Sequence, residues 1–186
     1  MRKTNIFLLV GFMVAFGCDN EAKLADEVLE TNIQLKSVQA KNSVAIYIEV
    51  DTDKLLKEYP KGGDITNSGI VEMTQEGGSF YYKNGQKDQL VTETVAGASI
   101  QWKIESKNRA DNLTLLNYLG DDKMSKMFIN NPVINSYDKS VFNARVRETM
   151  PNETVSTYYF VEFSLEKQPD IIWSWDPDII CPFPPK

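Results

Sequence analysis

The stretch Ser99-Ile-Gln-Trp-Lys-Ile-Glu105 decides the fold class, because apolar and polar residues alternate along it without a break. Ile100, Trp102 and Ile104 occupy every second position, the period that places alternate side chains on opposite faces of a β-strand. We therefore predict a strand whose three apolar side chains point into a core, while the polar residues between them face outward.

Further strands are predicted on both sides of this stretch, and the first of them alternates in the same way. They are residues 43–50, 78–85, 89–94, 141–146, 156–165 and 171–175, of which the last is predicted to be the final strand. Clusters of Gly, Asn, Asp and Pro separate them, and no helical periodicity intervenes. This pattern predicts an all-β fold, an antiparallel β-sandwich of about seven to nine strands.

Two connections between these strands are long. The first, residues 51–77, is predicted to hold one helical turn that Asp51 or Thr52 caps and Pro60 stops. The second, residues 106–140, contains an apolar stretch at 112–119 that is compatible with either a strand or a short helix. Loops of this length are functional or contain a further element.

Composition limits the chemistry that this chain can perform. It has 186 residues, 20 basic, 26 acidic and no histidine. No run of Lys and Arg exists to neutralise phosphates, so we predict no nucleic-acid partner. The lack of histidine excludes Ser-His-Asp and Cys-His nucleophiles and the usual histidine-containing metal sites. We expect a non-enzymatic protein without a cofactor.

The N-terminus has the pattern of a signal peptide. Arg2 and Lys3 precede an apolar run, residues 6–17, which would be about 18 Å long as a helix and so too short for a hydrocarbon core of roughly 30 Å. Ala15-Phe-Gly-Cys18 resembles a bacterial lipobox, which implies cleavage before Cys18 and lipidation of its sulfur. The alternatives are an ordinary secretory peptide and an uncleaved anchor.

These features divide the chain into three parts. Residues 1–17 are the predicted signal peptide, residues 18–42 the lipidated cysteine and a polar tether, and residues 43–186 the β-sandwich domain. Acyl chains on Cys18 would form a stable membrane anchor. We predict an outer-membrane lipoprotein that faces the periplasm or the cell surface, with inner-leaflet retention as the alternative. Asp19 and Glu21 are similar to the export signals of some surface lipoproteins of the Bacteroidota.

Two segments at the ends of the domain resemble a known family. Residues 46–60, with an Asp-Thr-Asp turn and a Tyr-Pro step, and residues 173–179, with the sequence Trp-Ser-Trp-Asp-Pro-Asp-Ile, are similar to the opening and closing strands of the AidA/PixA-type inclusion body proteins. Residues 95–102 and 158–165 are similar to inner strands of that family. The resemblance implies a β-sandwich, self-association and, for some members, a lectin-like affinity for sugars. The lipoprotein signal departs from the family and argues against a cytoplasmic storage role.

Tryptophans are the first candidates for ligand binding. Trp173 and Trp175 are two residues apart and share one face of a strand, where indole rings can stack on the apolar face of a sugar. Trp102 belongs to an inward apolar series and is expected in the core. For Trp173 and Trp175 the alternative is burial between the sheets, because aromatic strand residues usually pack.

Paired carboxylates are the second candidates. Asp51 and Asp53, and likewise Asp176 and Asp178, lie on either side of one residue at a strand end. This spacing is compatible with a calcium ion, whereas the alternative is that the side chains cap turns and helices. Neither segment has the glycine and further acids of a dedicated calcium loop, so we predict no metal centre and keep the four carboxylates as candidate ligand-binding residues.

Two functions follow from these patterns. The first is a lipid-anchored, lectin-like module that binds glycans through the paired tryptophans and the nearby carboxylates. The second is a structural protein that assembles into homodimers or arrays through sheet edges or long loops.

Overall fold

The computed structural model describes residues 43–182. Strands with alternating apolar and polar side chains form two β-sheets there. The predicted signal peptide 1–17, the lipidation site Cys18 and the tether 18–42 lie outside the described residues, as do residues 183–186.

The described residues form twelve strands. In chain order they are β1 Ser43–Val50, β2 Gly63–Asp64, β3 Val71–Glu76, β4 Ser79–Tyr82, β5 Leu90–Glu93, β6 Ser99–Ser106, β7 Leu113–Gly120, β8 Val133–Ile134, β9 Val141–Arg145, β10 Val155–Leu165, β11 Gln168–Trp175 and β12 Asp178–Cys181. Two short helices, Thr52–Glu58 and Met124–Met127, and a 3₁₀ turn at Lys83–Gly85 complete the secondary structure of this part of the chain.

The first sheet has five strands in the order β3, β1, β6, β9, β8. At its centre β1 runs parallel to β6 and antiparallel to β3. The register of the parallel pair places Ile46 directly opposite Trp102. The inward positions of both central strands are buried, as the alternation of residues 99–105 predicts.

The second sheet has seven strands. Six follow the order β2, β11, β10, β12, β5, β4, and β7 pairs with the opposite edge of β10. Strands β11 and β12 both pair antiparallel with β10, and their registers are continuous. Val161 lies opposite Trp175 of β11, and Tyr158 lies opposite Asp178 of β12. The two strands are therefore one arm of a long hairpin. Pro177 interrupts this arm, because proline has no N–H to donate to the ladder.

The core fills the space between the sheets. Trp102 and Phe142 of the first sheet and Tyr159, Phe163 and Trp173 of the second are fully buried there. Apolar burial of this extent is the main force that holds the two sheets together.

The predicted all-β fold is confirmed, as is the helical turn in the first long connection. Asp51 caps it, since its Oδ1 accepts a hydrogen bond of 3.0 Å from the N–H of Lys54. The apolar stretch at 112–119 is a strand, β7. The prediction that residues 171–175 are the final strand is wrong, because β12 follows after Pro177.

Two further features differ from the sequence prediction. Strands β2 and β3 lie within the first long connection, β8 lies within the second, and β12 follows the predicted last strand, so twelve strands are present where seven to nine are predicted. The sheets are also mixed, because β1 with β6, β2 with β11 and β5 with β12 are parallel pairs.

Within residues 43–182, none of the helices combines the length and the apolar character needed to cross a bilayer.

Candidate functional site

Both tryptophans predicted as a stacking surface are buried in the core. Trp173 stacks on Phe163, and its indole N–H donates a hydrogen bond of 2.8 Å to the carbonyl of Tyr59. Trp175 contacts the same phenyl ring edge to face, with 5.7 Å between the ring centroids. Neither indole exposes any surface. The structure thus corrects the expectation of a tryptophan platform: the two rings pack between the sheets, which was the alternative.

The first pair of carboxylates serves the local backbone. Asp51 caps the helix Thr52–Glu58, and Asp53 lies in the first turn of the same helix, where a negative charge interacts favourably with the helix dipole. Among residues 43–182, no three acidic or cysteine side chains come together in a way that would hold a metal ion. The cap role accounts for Asp51, while Asp53 is exposed in the first helical turn.

The second pair of carboxylates lies on a surface. In the hairpin arm that contains Pro177, Trp175, Pro177 and Ile179 are buried, so Asp176 and Asp178 point to the opposite, outer side of the second sheet. Five apolar side chains share this side. We call the seven residues the aromatic face: Tyr81, Leu119, Tyr158, Phe160, Asp176, Asp178 and Ile180.

A row of cross-strand neighbours sets the geometry of the aromatic face. Tyr158 of β10 lies opposite Asp178 of β12, Asp178 lies opposite Val91 of β5, and Val91 lies opposite Tyr81 of β4. Three strand spacings therefore separate the two tyrosine positions, a distance of about 14 Å. Tyr158 is 47% exposed and Tyr81 is 48% exposed. Asp178 stands between two accessible rings.

The apolar part of the aromatic face is continuous beside Tyr158. Its ring contacts Phe160 edge to face, with centroids 5.7 Å apart. Phe160 lies opposite Leu119 of β7, which is 49% exposed. Contiguous apolar patches on an otherwise polar surface commonly mark interaction sites.

The two carboxylates differ in their surroundings. Asp178 Oδ2 forms an ion pair with Lys83 Nζ at 3.5 Å, and the lysine side chain is more than half exposed. Asp176 Oδ1 is buried and has no hydrogen-bond partner among the described residues. A buried carboxylate oxygen without a donor is costly, and this oxygen is enclosed by the protein while the aromatic rings beside it are exposed.

Aromatic rings beside carboxylates can bind ligands that have both apolar faces and donor groups. The rings supply stacking surfaces, and the carboxylate oxygens accept hydrogen bonds from hydroxyl or amino groups. Sugars have this combination of surfaces.

Sequence reasoning selected Asp176 and Asp178 but missed Tyr81, Tyr158 and Phe160. These aromatic residues lie in the runs Ser79-Phe-Tyr-Tyr82 and Thr157-Tyr-Tyr-Phe160, where aromatic residues occupy both faces of the strand. Period-two analysis cannot tell which of two adjacent tyrosines faces the core when both are apolar. The available signal was that Tyr158 is out of step with the inward residues Val155, Thr157, Tyr159 and Val161.

A groove on the outer side of the first sheet is a second candidate surface. It has a volume of about 630 Å³, and its polar lining includes Gln101, Asn130, Asn131, Asn143 and Arg145. Gln101 and Asn143 already hydrogen-bond each other at 3.1 Å, and Arg145 is paired with Glu148. None of the described residues that line it is aromatic. The groove therefore lacks the stacking surface that the aromatic face provides.

Comparison with known proteins identifies a shared fold. No protein-family model matches the sequence, and no curated protein matches it either. A solved structure similar to this chain is the inclusion body protein PixA from Burkholderia cenocepacia J2315, with a TM-score of 0.53, 12% identity, and coverage of 75% of this chain and 95% of that chain.

A second solved structure matches less well. The cysteine protease inhibitor EhICP2 from Entamoeba histolytica is 11% identical over 48% of this chain and 84% of that chain, and its TM-score of 0.26 is too low to argue a shared fold.

The similarity to PixA confirms, for the fold, the resemblance seen in the sequence: this chain shares the fold of the inclusion body protein PixA.

Proposed function

We propose that this chain is a non-enzymatic carbohydrate-binding protein, held at the outer membrane by a lipid on Cys18, and that the aromatic face binds the sugar. The observation that carries the proposal is the row of cross-strand neighbours in which the exposed rings of Tyr158 and Tyr81 lie on either side of Asp178, with the buried Val91 between Asp178 and Tyr81. The fold shared with an inclusion body protein is compatible with it.

The geometry of the row favours an oligosaccharide over a single sugar. The two tyrosine positions are about 14 Å apart, a distance greater than one pyranose ring can cover. Each ring would stack on one sugar unit, while Asp178 would accept a hydrogen bond from a hydroxyl group of the unit between them.

A glycan array followed by calorimetric titration tests the proposal. The purified full-length protein in detergent micelles is expected to bind a subset of oligosaccharides. Replacement of Tyr158 or Tyr81 by alanine is expected to weaken binding about fivefold each, since one stacked aromatic contact contributes about 1 kcal/mol.

Tyr47→Ala provides the matched control. Tyr47 is 37% exposed on the outer side of the first sheet, so its loss removes a tyrosine of similar exposure from the other surface. Binding by this variant should equal that of the parent protein. Absence of any glycan binding, or equal losses in all three variants, would refute the proposal.

The proposed anchor has its own test. Mass spectrometry of the mature N-terminus should find Cys18 as the first residue with acyl chains on it. The Cys18→Ala variant should leave the membrane fraction. An unmodified Cys18 would refute this part of the proposal alone.

A further inference from the structure

The aromatic face carries a strong negative charge. Besides Asp176 and Asp178, two neighbouring strands contribute carboxylates to the same side of the sheet: Glu93 lies opposite Ile180, and Glu162 lies two residues beyond Phe160. Of the ion pairs among the described residues, only the one between Lys83 and Asp178 involves any of these four carboxylates. The surface therefore has an excess of negative charge around its aromatic rings.

This combination of groups favours a positively charged ligand. The face of an aromatic ring attracts cations through its quadrupole, and an ammonium group beside a carboxylate adds a direct charge interaction. An anionic ligand would be repelled by the carboxylates.

The chain itself contains an ammonium group at this position. Lys83 Nζ lies 3.5 Å from Asp178 Oδ2, on an exposed side chain from the turn after β4. This distance is long for an ion pair, and exposed pairs of this kind contribute little stability. A ligand ammonium group can therefore replace Lys83 at small cost.

We propose that the ligand of the aromatic face is an oligosaccharide of amino sugars with free ammonium groups. This inference rests on the proposed carbohydrate-binding function and names its ligand class. One ammonium group pairs with Asp178 and lies against the ring of Tyr158, its direct neighbour across the strands. Asp176, two residues before Asp178 on the same side of the arm, adds a second carboxylate near an adjacent sugar.

The decisive experiment compares two probes on the full-length protein. They are a glucosamine oligomer and its N-acetylated counterpart of equal length, titrated by calorimetry at low and at high salt. The glucosamine oligomer is expected to bind about tenfold more tightly at low salt, and the ratio should fall as salt screens the charges.

Two substitutions locate the charge effect. Asp178→Asn keeps the shape of the side chain and should abolish most of the preference for the ammonium form. Lys83→Met should tighten binding of the glucosamine oligomer, because it removes the competing ammonium group. The matched control is Glu105→Gln on the first sheet, whose carboxylate is paired with Lys103 at 3.4 Å and should have no effect.

Each outcome decides between the two proposals. Equal affinity for both oligomers, or binding of neither, would overturn the inference. The carbohydrate-binding function would fall only if the glycan array gave no binding at all. An equal loss in Glu105→Gln and Asp178→Asn would overturn the inference, because the attraction would then come from net charge alone. Equally tight binding of an oligolysine of the same charge would overturn it too, since the sugar rings would then add nothing.

Discussion

Two buried tyrosines in the core differ in whether their hydroxyl groups have a hydrogen-bond partner. Tyr159 accepts a hydrogen bond of 2.9 Å from the indole N–H of Trp102, and both side chains are fully buried. Tyr118 stacks on the ring of Tyr159, but its buried hydroxyl has no hydrogen-bond partner. Burial raises the pKa of both phenols, so both remain protonated at any physiological pH.

This difference predicts opposite results for the same substitution. Tyr159→Phe leaves the N–H of Trp102 unpaired in the core and should lower the free energy of unfolding by about 1–3 kcal/mol. Tyr118→Phe removes a hydroxyl that has no partner and should have little effect or stabilise the fold. Urea denaturation followed by circular dichroism measures both. Equal destabilisation would contradict the role given to the hydrogen bond.

Gly62 is a position where backbone geometry excludes a side chain. Its φ is +79°, and a Cβ atom there would lie 2.4 Å from the carbonyl oxygen of Ile172 in β11. Gly85 has a similar φ of +73°, but a Cβ atom there would meet nothing. The two glycines share the backbone conformation and differ in the space around them.

We therefore expect alanine to be costly at one of these positions and tolerated at the other. Gly85→Ala should cost about 1 kcal/mol through its positive φ. Gly62→Ala should cost about 3 kcal/mol or more, because a backbone atom must also move. Thermal melting of both variants makes the comparison, and similar melting temperatures would show that the contact with Ile172 relaxes freely.

Among the strands, those with strict alternation could be predicted from the sequence and those with mixed pattern could not. β1 and β6 alternate throughout, and both form as predicted. β3 was missed because the polar Gln75 occupies an inward position, where Thr92 donates to it and it donates to the Gly77 carbonyl. β12 was missed because Asp176-Pro-Asp178 is typical of a turn, and only its continuous pairing with β10 makes it part of a strand.

The candidate site depends on long-range register even more strongly. Whether Trp173 is buried or exposed follows from which face of β11 meets the first sheet, and the alternation within β11 itself is the same in both cases. The sequence therefore supplied the residue types of the site, while the choice of face came from the pairing of distant strands.

One polar cluster joins the ends of several elements. Thr52, at the start of the first helix, contacts Ser106 at the end of β6 and donates to Asp111, each at 2.8 Å. Asp111 also forms an ion pair of 3.0 Å with Lys167 in the turn between β10 and β11. The hydrogen bond from Thr52 and the contact with Lys167 hold the pKa of Asp111 below its usual range. The cluster thus connects the first sheet with the hairpin of the second.

The lowered pKa predicts how stability depends on pH. An acid whose pKa is lower in the folded state stabilises the fold above its unfolded pKa of about 3.9, and this contribution is lost as the pH falls through the folded value. Asp111→Asn should therefore cost about 1 kcal/mol at pH 7 and progressively less below about pH 4. Urea denaturation across this range measures the difference.

A substitution outside the cluster serves as the comparison. Glu153→Gln removes a carboxylate from an ion pair with Lys126 in which both side chains are mostly exposed. Its effect should stay within about 0.5 kcal/mol at neutral pH. A cost for Asp111→Asn that is the same at pH 3 and pH 7 would contradict the charge-based explanation.

The whole domain protects two of its open sheet edges. At the outer edge of β3, the N–H of Met73 donates to the carbonyl of Lys87 in the loop between β4 and β5. At the outer edge of β7, the N–H of Leu115 donates to the carbonyl of Lys139 in the loop before β9. Edges covered in this way cannot readily pair with a second copy.

We therefore expect the domain to be monomeric in solution. The Cys18→Ala variant, which cannot be lipidated, should give a monomer mass by size exclusion with light scattering across a wide concentration range. A dimer or larger species would instead favour the structural alternative, in which the chain assembles with copies of itself. Hydrogen exchange at Met73 and Leu115 would then show whether these edges are the ones that pair.

The burial of all three tryptophans determines what optical spectroscopy can report on this protein. Trp102, Trp173 and Trp175 expose no surface, so the intrinsic fluorescence of the native state should be blue-shifted and poorly quenched by acrylamide. The emission will respond strongly to unfolding. A sugar bound at the aromatic face would leave it almost unchanged, and a flat fluorescence titration would therefore say nothing about whether a ligand is bound.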